Sequence, residues 1–230
     1  KNDCGYIFDY YLYPHPNGIT WVICHSKGSP TGPFEIVNAD ANSNKLAILE
    51  DGSTAVNNGF DPGVVVDTDE DGYAVAAYLW WAGFDTIVAC KLNMDNMASA
   101  EFDQALADQD TTGKYNCDPT SNDYGVKRNF LPVAGVSNYS NVHAWPLEDN
   151  INPDDPTKNK YDIIDKEDLD LIRIFEASSP RKIGNKWVFV YSGYAGPEYG
   201  TYSSNAILKY CYSDNPLGPW KYGGVIVDAR

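Results

Sequence analysis

Short apolar runs, separated by clusters of Gly, Pro, Asn and Asp, make up most of this chain. Val64, Val65 and Val66 precede one such cluster, and the run from Ala74 to Trp81 follows it. Runs of that length, rich in β-branched and aromatic residues and bounded by turn formers, predict strands. Helical spacing is weak and confined to residues 97–110 (MASAEFDQALADQD) and 165–175 (DKEDLDLIRIF). Asp67, Asp69 and Asp71 ahead of Gly72 imitate the opening of a calcium loop, which also needs a bidentate Glu at its twelfth position. That position is Tyr78 and the flanks read as strands, so the segment is expected to be a hairpin tip.

The strands recur as a unit. Residues 3–36 form one copy, 61–93 a second and 176–222 a third, and SPTGPFE (29–35) matches NPLGPWK (215–221). Equivalent turns in units of three or four strands predict an all-β fold of the β-propeller type, in which each small sheet buries its faces against its neighbours. The copies begin near residues 3, 61 and 176, so the second gap holds either a hidden blade or an insertion. Asn, Asp, Thr and Pro crowd that gap and favour a loop-rich insertion over about 108–165. The expectation is a single domain over 1–230, with blades near 1–58, 59–107 and 170–230.

A net charge of −15 and a pI near 4.4 argue against nucleic acid or an anionic membrane as a partner, because like charge repels. No apolar run approaches the roughly 20 residues of a membrane-spanning helix. The five cysteines make no CxxC or Cys/His spacing, which argues against zinc. Cys24, Cys90 and Cys211 sit alike in TWVICHS, TIVACKL and ILKYCYS, and are expected to be buried core thiols. Aromatics at 13% suit strands and also sugar-stacking surfaces. Trp80, Trp81 and Trp145 are the candidate platforms, with Trp81 assigned to substrate; neighbours on a strand face opposite ways, so only one of Trp80 and Trp81 can serve.

Asp61 in GFDPGVVV and Glu176 in RIFEASSPRKIG open their strands, each after a Phe and before small residues. First strands of propeller blades line a common funnel, so these two carboxyls would converge there. One protonated and one ionised carboxyl is what glycoside chemistry uses. The alternative is structural: Asp61 as an Asp-Pro turn element, and Glu176 paired with Arg181 or Lys182.

At these residues the chain resembles glycoside hydrolase family 43, five-bladed propellers that include β-xylosidases and α-arabinofuranosidases. FDPGVVVDTDEDGYAVAAYLW resembles the family's third-blade signature and FEASSPRKIGNKWVFVYSG its fourth; YCYSDNPLGPW and ICHSKGSPTGPF are similar to its Gly-Pro turns, and NDCGYIFDYYLYP to the start of its second blade. The resemblance implies an inverting hydrolase of xylose- or arabinose-containing oligo- or polysaccharide. Glu176 would be the general acid, Asp61 the carboxylate that raises its pKa and orients it, and Phe60 and Phe175 walls of the sugar site. It also implies an interior piece of a longer enzyme, without the first blade, which carries the general base, and without the last. No cofactor is implied beyond a structural calcium in the propeller centre; His15, His25 and His143 lie outside the matching context, and no metal ligand is assigned. A secreted or periplasmic location is expected, its signal segment lying outside the chain. The rival reading is a carbohydrate-binding propeller without catalysis, and a third is a purely structural or interaction module.

Overall fold

The computed structural model describes residues 6–15, 18–27, 29–37, 47–56, 61–83, 86–110, 115–130, 174–193, 207–218 and 220–228, with backbone only for 6–15, 18–22, 27, 82, 83, 86, 128–130, 174–176 and 178. The fold is all-β, with three antiparallel sheets and one short helix among these residues. The first sheet runs β1 (Tyr6–His15), β2 (Gly18–Lys27) and β3 (Glu35–Ile36). The second is β4 (Gly63–Thr68), β5 (Ala74–Gly83), β6 (Thr86–Leu92) and β7 (Val126–Phe130). The third is β8 (Ile174–Ile183), β9 (Lys186–Gly193), β10 (Ile207–Ser213) and β11 (Lys221–Asp228). In each sheet, strands adjacent in sequence are adjacent in space, the meander of a propeller blade.

Local chemistry sets the hairpins. Between β4 and β5, Asp69 Oδ1 accepts from the N–H groups of Asp71 (3.1 Å) and Tyr73 (2.8 Å), and Gly72 takes φ +81°. The acidic cluster is therefore a turn held by one aspartate side chain, as its residue types predict. Between β8 and β9, Ile183 pairs with Lys186 across a two-residue loop that opens with Gly184 at φ +59°.

Period-2 alternation then sorts the second sheet onto two faces. Ala76, Tyr78, Trp80, Ile87 and Ala89 join Trp187, Phe189, Tyr191, Cys211, Leu217 and Trp220 in one core layer. Ala77, Leu79, Trp81, Val88, Cys90 and Leu92 join Ile23, Val56, Ala98 and Val126 in the other. The middle sheet thus packs on the third sheet through one face and toward the first through the other, as blades pack in a propeller. Each large apolar side chain so buried contributes about 1.5–3 kcal/mol.

Two expectations change. The stretch read as an insertion from 108 contains β7, which pairs with β6 through Ala89 opposite Lys127 and Cys90 opposite Val126, so the second sheet extends to Phe130. Its sequence, VKRNF, hides the strand because a lysine occupies an inward position. The helix expected over 97–110 shortens to α1 (Gln104–Gln109), where Asp103 Oδ1 caps the N–H groups of Ala105 and Leu106. The residues before it form isolated β-bridges instead, Ser99 with Ala55 and Ala100 with Leu92. Of the second expected helix, 165–173 lies outside the described residues and Ile174 and Phe175 begin β8.

Candidate active site

β4 and β8, the first strands of their sheets, pack against each other, and because Asp67 meets Lys182 at one end and Asp61 meets Ala177 at the other, their N-terminal ends lie together. Asp61 stands two residues before β4, partly exposed, with φ +48°. On β8 the backbone of Glu176 pairs with Ser192 between two register shifts, one between Ile174 and Glu176 and one between Glu176 and Ser178. The residue after it, Ala177, takes φ +61°. Its N–H donates a hydrogen bond to the Asp61 carboxylate, which ties the start of the second sheet to the segment carrying Glu176.

Two forces act on the Asp61 carboxyl. Burial disfavours its charge and raises its pKa, while the Ala177 N–H opposes that by favouring the ionised form; burial wins. The structure therefore brings Asp61 and the backbone of Glu176 together. The side chains of Glu176 and Phe175, and Phe60 and Trp145 as a whole, lie outside the described residues.

Two cations follow Glu176 on β8. Lys182 pairs with Asp67 across the two sheets, its ammonium 5.4 Å from the centre of the Trp187 ring, and Arg181 Nη1 donates to the Pro180 carbonyl at 2.7 Å. This pairing sits at the far end of the same two strands. It borders an open groove of about 530 Å³ lined by Val64–Thr68, Pro180–Lys182 and Gly184, a lining that includes neither Asp61 nor Glu176.

Trp81 departs from its expected place at the sugar. Only 5% exposed, it packs in the aliphatic layer beside the first sheet, and Trp80, fully buried, packs with Tyr78 and Trp187 in the aromatic layer. Alternation does send the two rings to opposite faces, but both faces are covered, so neither ring is open for stacking.

Sequence reading missed two features. Ala177 carries no side-chain signal, since its role is a backbone direction. Lys127, 2% exposed, forms an ion pair with Asp110 at 2.9 Å and donates to the Leu217 carbonyl at 3.2 Å, joining the second sheet to the third. Nothing in VKRNF marks that lysine as internal.

Cys24, Cys90 and Cys211 are buried thiols, as expected. Burial pushes the Cys90 thiol far up, and the Cys211 thiol up to about 12 against a weak pull from the Tyr191 hydroxyl. Among the described residues no three His, Cys, Asp or Glu side chains converge to hold a metal ion. No helix among the described residues is long and apolar enough to cross a membrane.

No protein-family model matches the chain, and no curated protein does. Solved structures do. A GH43 β-xylosidase/α-arabinofuranosidase from a compost microbial metagenome, in a calcium-free complex with xylotriose, is 16% identical over 97% of this chain and 54% of its own, with a TM-score of 0.49. A GH43 enzyme from Xanthomonas citri complexed with xylose is 14% identical over 96% and 52%, at 0.48. An α-L-arabinofuranosidase from Clostridium thermocellum is 19% identical over 95% and 51%, at 0.40. The chain spans about half the length of each of these structures.

Proposed function

We propose that this chain carries part of the active site of an inverting glycoside hydrolase acting on xylose- or arabinose-containing oligo- or polysaccharide. Glu176 is the general acid and Asp61 the carboxylate that tunes and orients it. One observation carries the reading: the Asp61 carboxylate is held by the N–H of the residue next to Glu176, at the meeting ends of two first strands.

The chemistry follows from charge. An ionised Asp61 disfavours a second negative charge nearby, which raises the pKa of Glu176 and keeps its proton available. Glu176 gives that proton to the glycosidic oxygen as the bond to the anomeric carbon breaks. A water attacks the opposite face of the ring and loses its proton to a general base. Inversion needs the base and Glu176 roughly 6.5–9.5 Å apart so that the water fits. Phe60 and Phe175 are proposed as apolar walls that keep the acid dry and raise its pKa further.

The test is Glu176→Gln in the full-length protein, assayed on xylotriose and on arabinose-substituted xylan with the anomer of the product read by NMR. Loss of about 10²–10⁴-fold in kcat is expected, with an unchanged melting temperature. Unchanged turnover sinks the assignment. Tight binding of xylotriose by the wild type without any turnover moves the protein to the carbohydrate-binding reading instead.

A further inference from the structure

Two residues other than glycine hold left-handed backbone at one spot, Asp61 at φ +48° and Ala177 at φ +61°, and the hydrogen bond between the sheets joins these same two residues. Aspartate tolerates that conformation through its short polar side chain, whereas alanine gains nothing locally from it. Strain of this kind persists only where the surroundings impose it, and it gathers at functional sites. Here its effect is visible. Regular strand geometry would alternate the backbone groups of β8, but the register shifts on both sides of Glu176 break the alternation, and the turned Ala177 peptide aims its N–H at Asp61.

We propose that Ala177 is the positioning residue of this site, its left-handed backbone supplying the N–H that fixes the Asp61 carboxylate against the Glu176 segment. The consequence for activity rests on the glycosidase reading; the latch itself does not. Charged groups on the two strands concerned are Asp67 beyond β4's start, and Glu176, Arg181 and Lys182 on β8. Asp67 and Lys182 neutralise each other at the far end, and Arg181 bonds its own strand's carbonyl. Glu176 is the charged residue adjacent in sequence to the latch, and on the glycosidase reading the ionisation of Asp61 and the proton on Glu176 are coupled. Losing the N–H makes Asp61 harder to ionise, and Glu176 then loses the neighbour that keeps it protonated.

The experiment has a structural arm and a kinetic arm. In the 15N- and 13C-labelled chain, the Ala177 amide proton shift should titrate with the same midpoint as the Asp61 carboxyl carbon, and Asp61→Asn should abolish that movement. An Ala177 amide indifferent to Asp61 overturns the latch, whatever the protein hydrolyses. Ala177→Gly keeps the N–H and accepts the positive φ, and should preserve the coupling. Ala177→Val resists it, and should raise the Asp61 midpoint by half a unit or more. If the valine variant does not fold, the wild-type and glycine titrations still decide. In the full-length protein, Ala177→Val should move the acidic limb of the kcat–pH profile upward with KM within twofold, and Ala177→Gly should not. An intact latch together with an active Glu176→Gln variant would refute the assignment of Glu176 as general acid alone.

Discussion

Replacing Lys127 by Met tests how the second and third sheets are held together. The Lys127 and Asp110 side chains are 3% and 4% exposed, and their charged atoms stand 2.9 Å apart. At an effective dielectric of about 20, that separation gives roughly 6 kcal/mol of attraction. Taking each ion out of water costs several kcal/mol, so the intact pair adds little net stability. The lowered pKa of Lys127 agrees: burial outweighs the pull of Asp110 on its charged form. Removing one partner is another matter. Methionine fills most of the lysine's volume but leaves a buried carboxylate without its countercharge and the Leu217 carbonyl without its donor. A loss of about 3–5 kcal/mol is expected, large against a total of about 5–15 kcal/mol. Because Asp110 Oδ2 also accepts from the Tyr115 N–H at 2.8 Å, Asn at 110 keeps an acceptor while removing the charge. Lys127→Met with Asp110→Asn should therefore recover at least ~2 kcal/mol of the single variant's loss. Urea unfolding followed by tryptophan fluorescence measures all three proteins. A single-variant cost below ~1 kcal/mol, or a double variant as unstable as the single one, would refute the reasoning.

Two further outcomes follow from the same physics. Asp61 has a raised pKa in the folded state, so its contribution to stability is full below the unfolded value of 3.8 and is lost as the pH rises through the folded value. Asp61→Asn should accordingly melt above the wild type at neutral pH, and the gap should close in acid; melting curves across that range check it. For the thiols, peptide mapping after maleimide treatment of the native protein should find Cys117, which is exposed, modified, and Cys24, Cys90 and Cys211 modified only after denaturation.

The sheets were legible because period-2 alternation and Asp/Gly turns are written in side chains. Asp69 and Gly72 specify their hairpin locally, whatever the rest of the chain does. Burial of Trp81 was not legible in the same way. A strand shows which residues share a face, but whether that face meets solvent or another sheet depends on distant segments such as Ile23 and Val56. β7 escaped notice because a paired, buried lysine looks like a surface one until its partner is located. At the candidate site, the positions of Asp61 and Glu176 followed from strand order. The connection between them did not, since it runs through a peptide group common to every residue type.

The pairing of Trp80 and Trp81 across two dissimilar layers also bears on how the middle sheet finds its alignment. A sheet apolar on both faces is poorly defended against slippage, because sliding a strand by one residue still buries apolar groups. Here the layers are chemically unlike, with Tyr78, Trp80 and Trp187 massed on one side and Ile23, Val88 and Leu92 on the other. A one-residue slip of β5 would exchange its two faces, taking Tyr78 away from Trp187 and putting Ala77 or Leu79 in its place. The unlike neighbours of the two faces thus favour the in-frame pairing, which keeps Tyr78 and Trp80 on the Trp187 side.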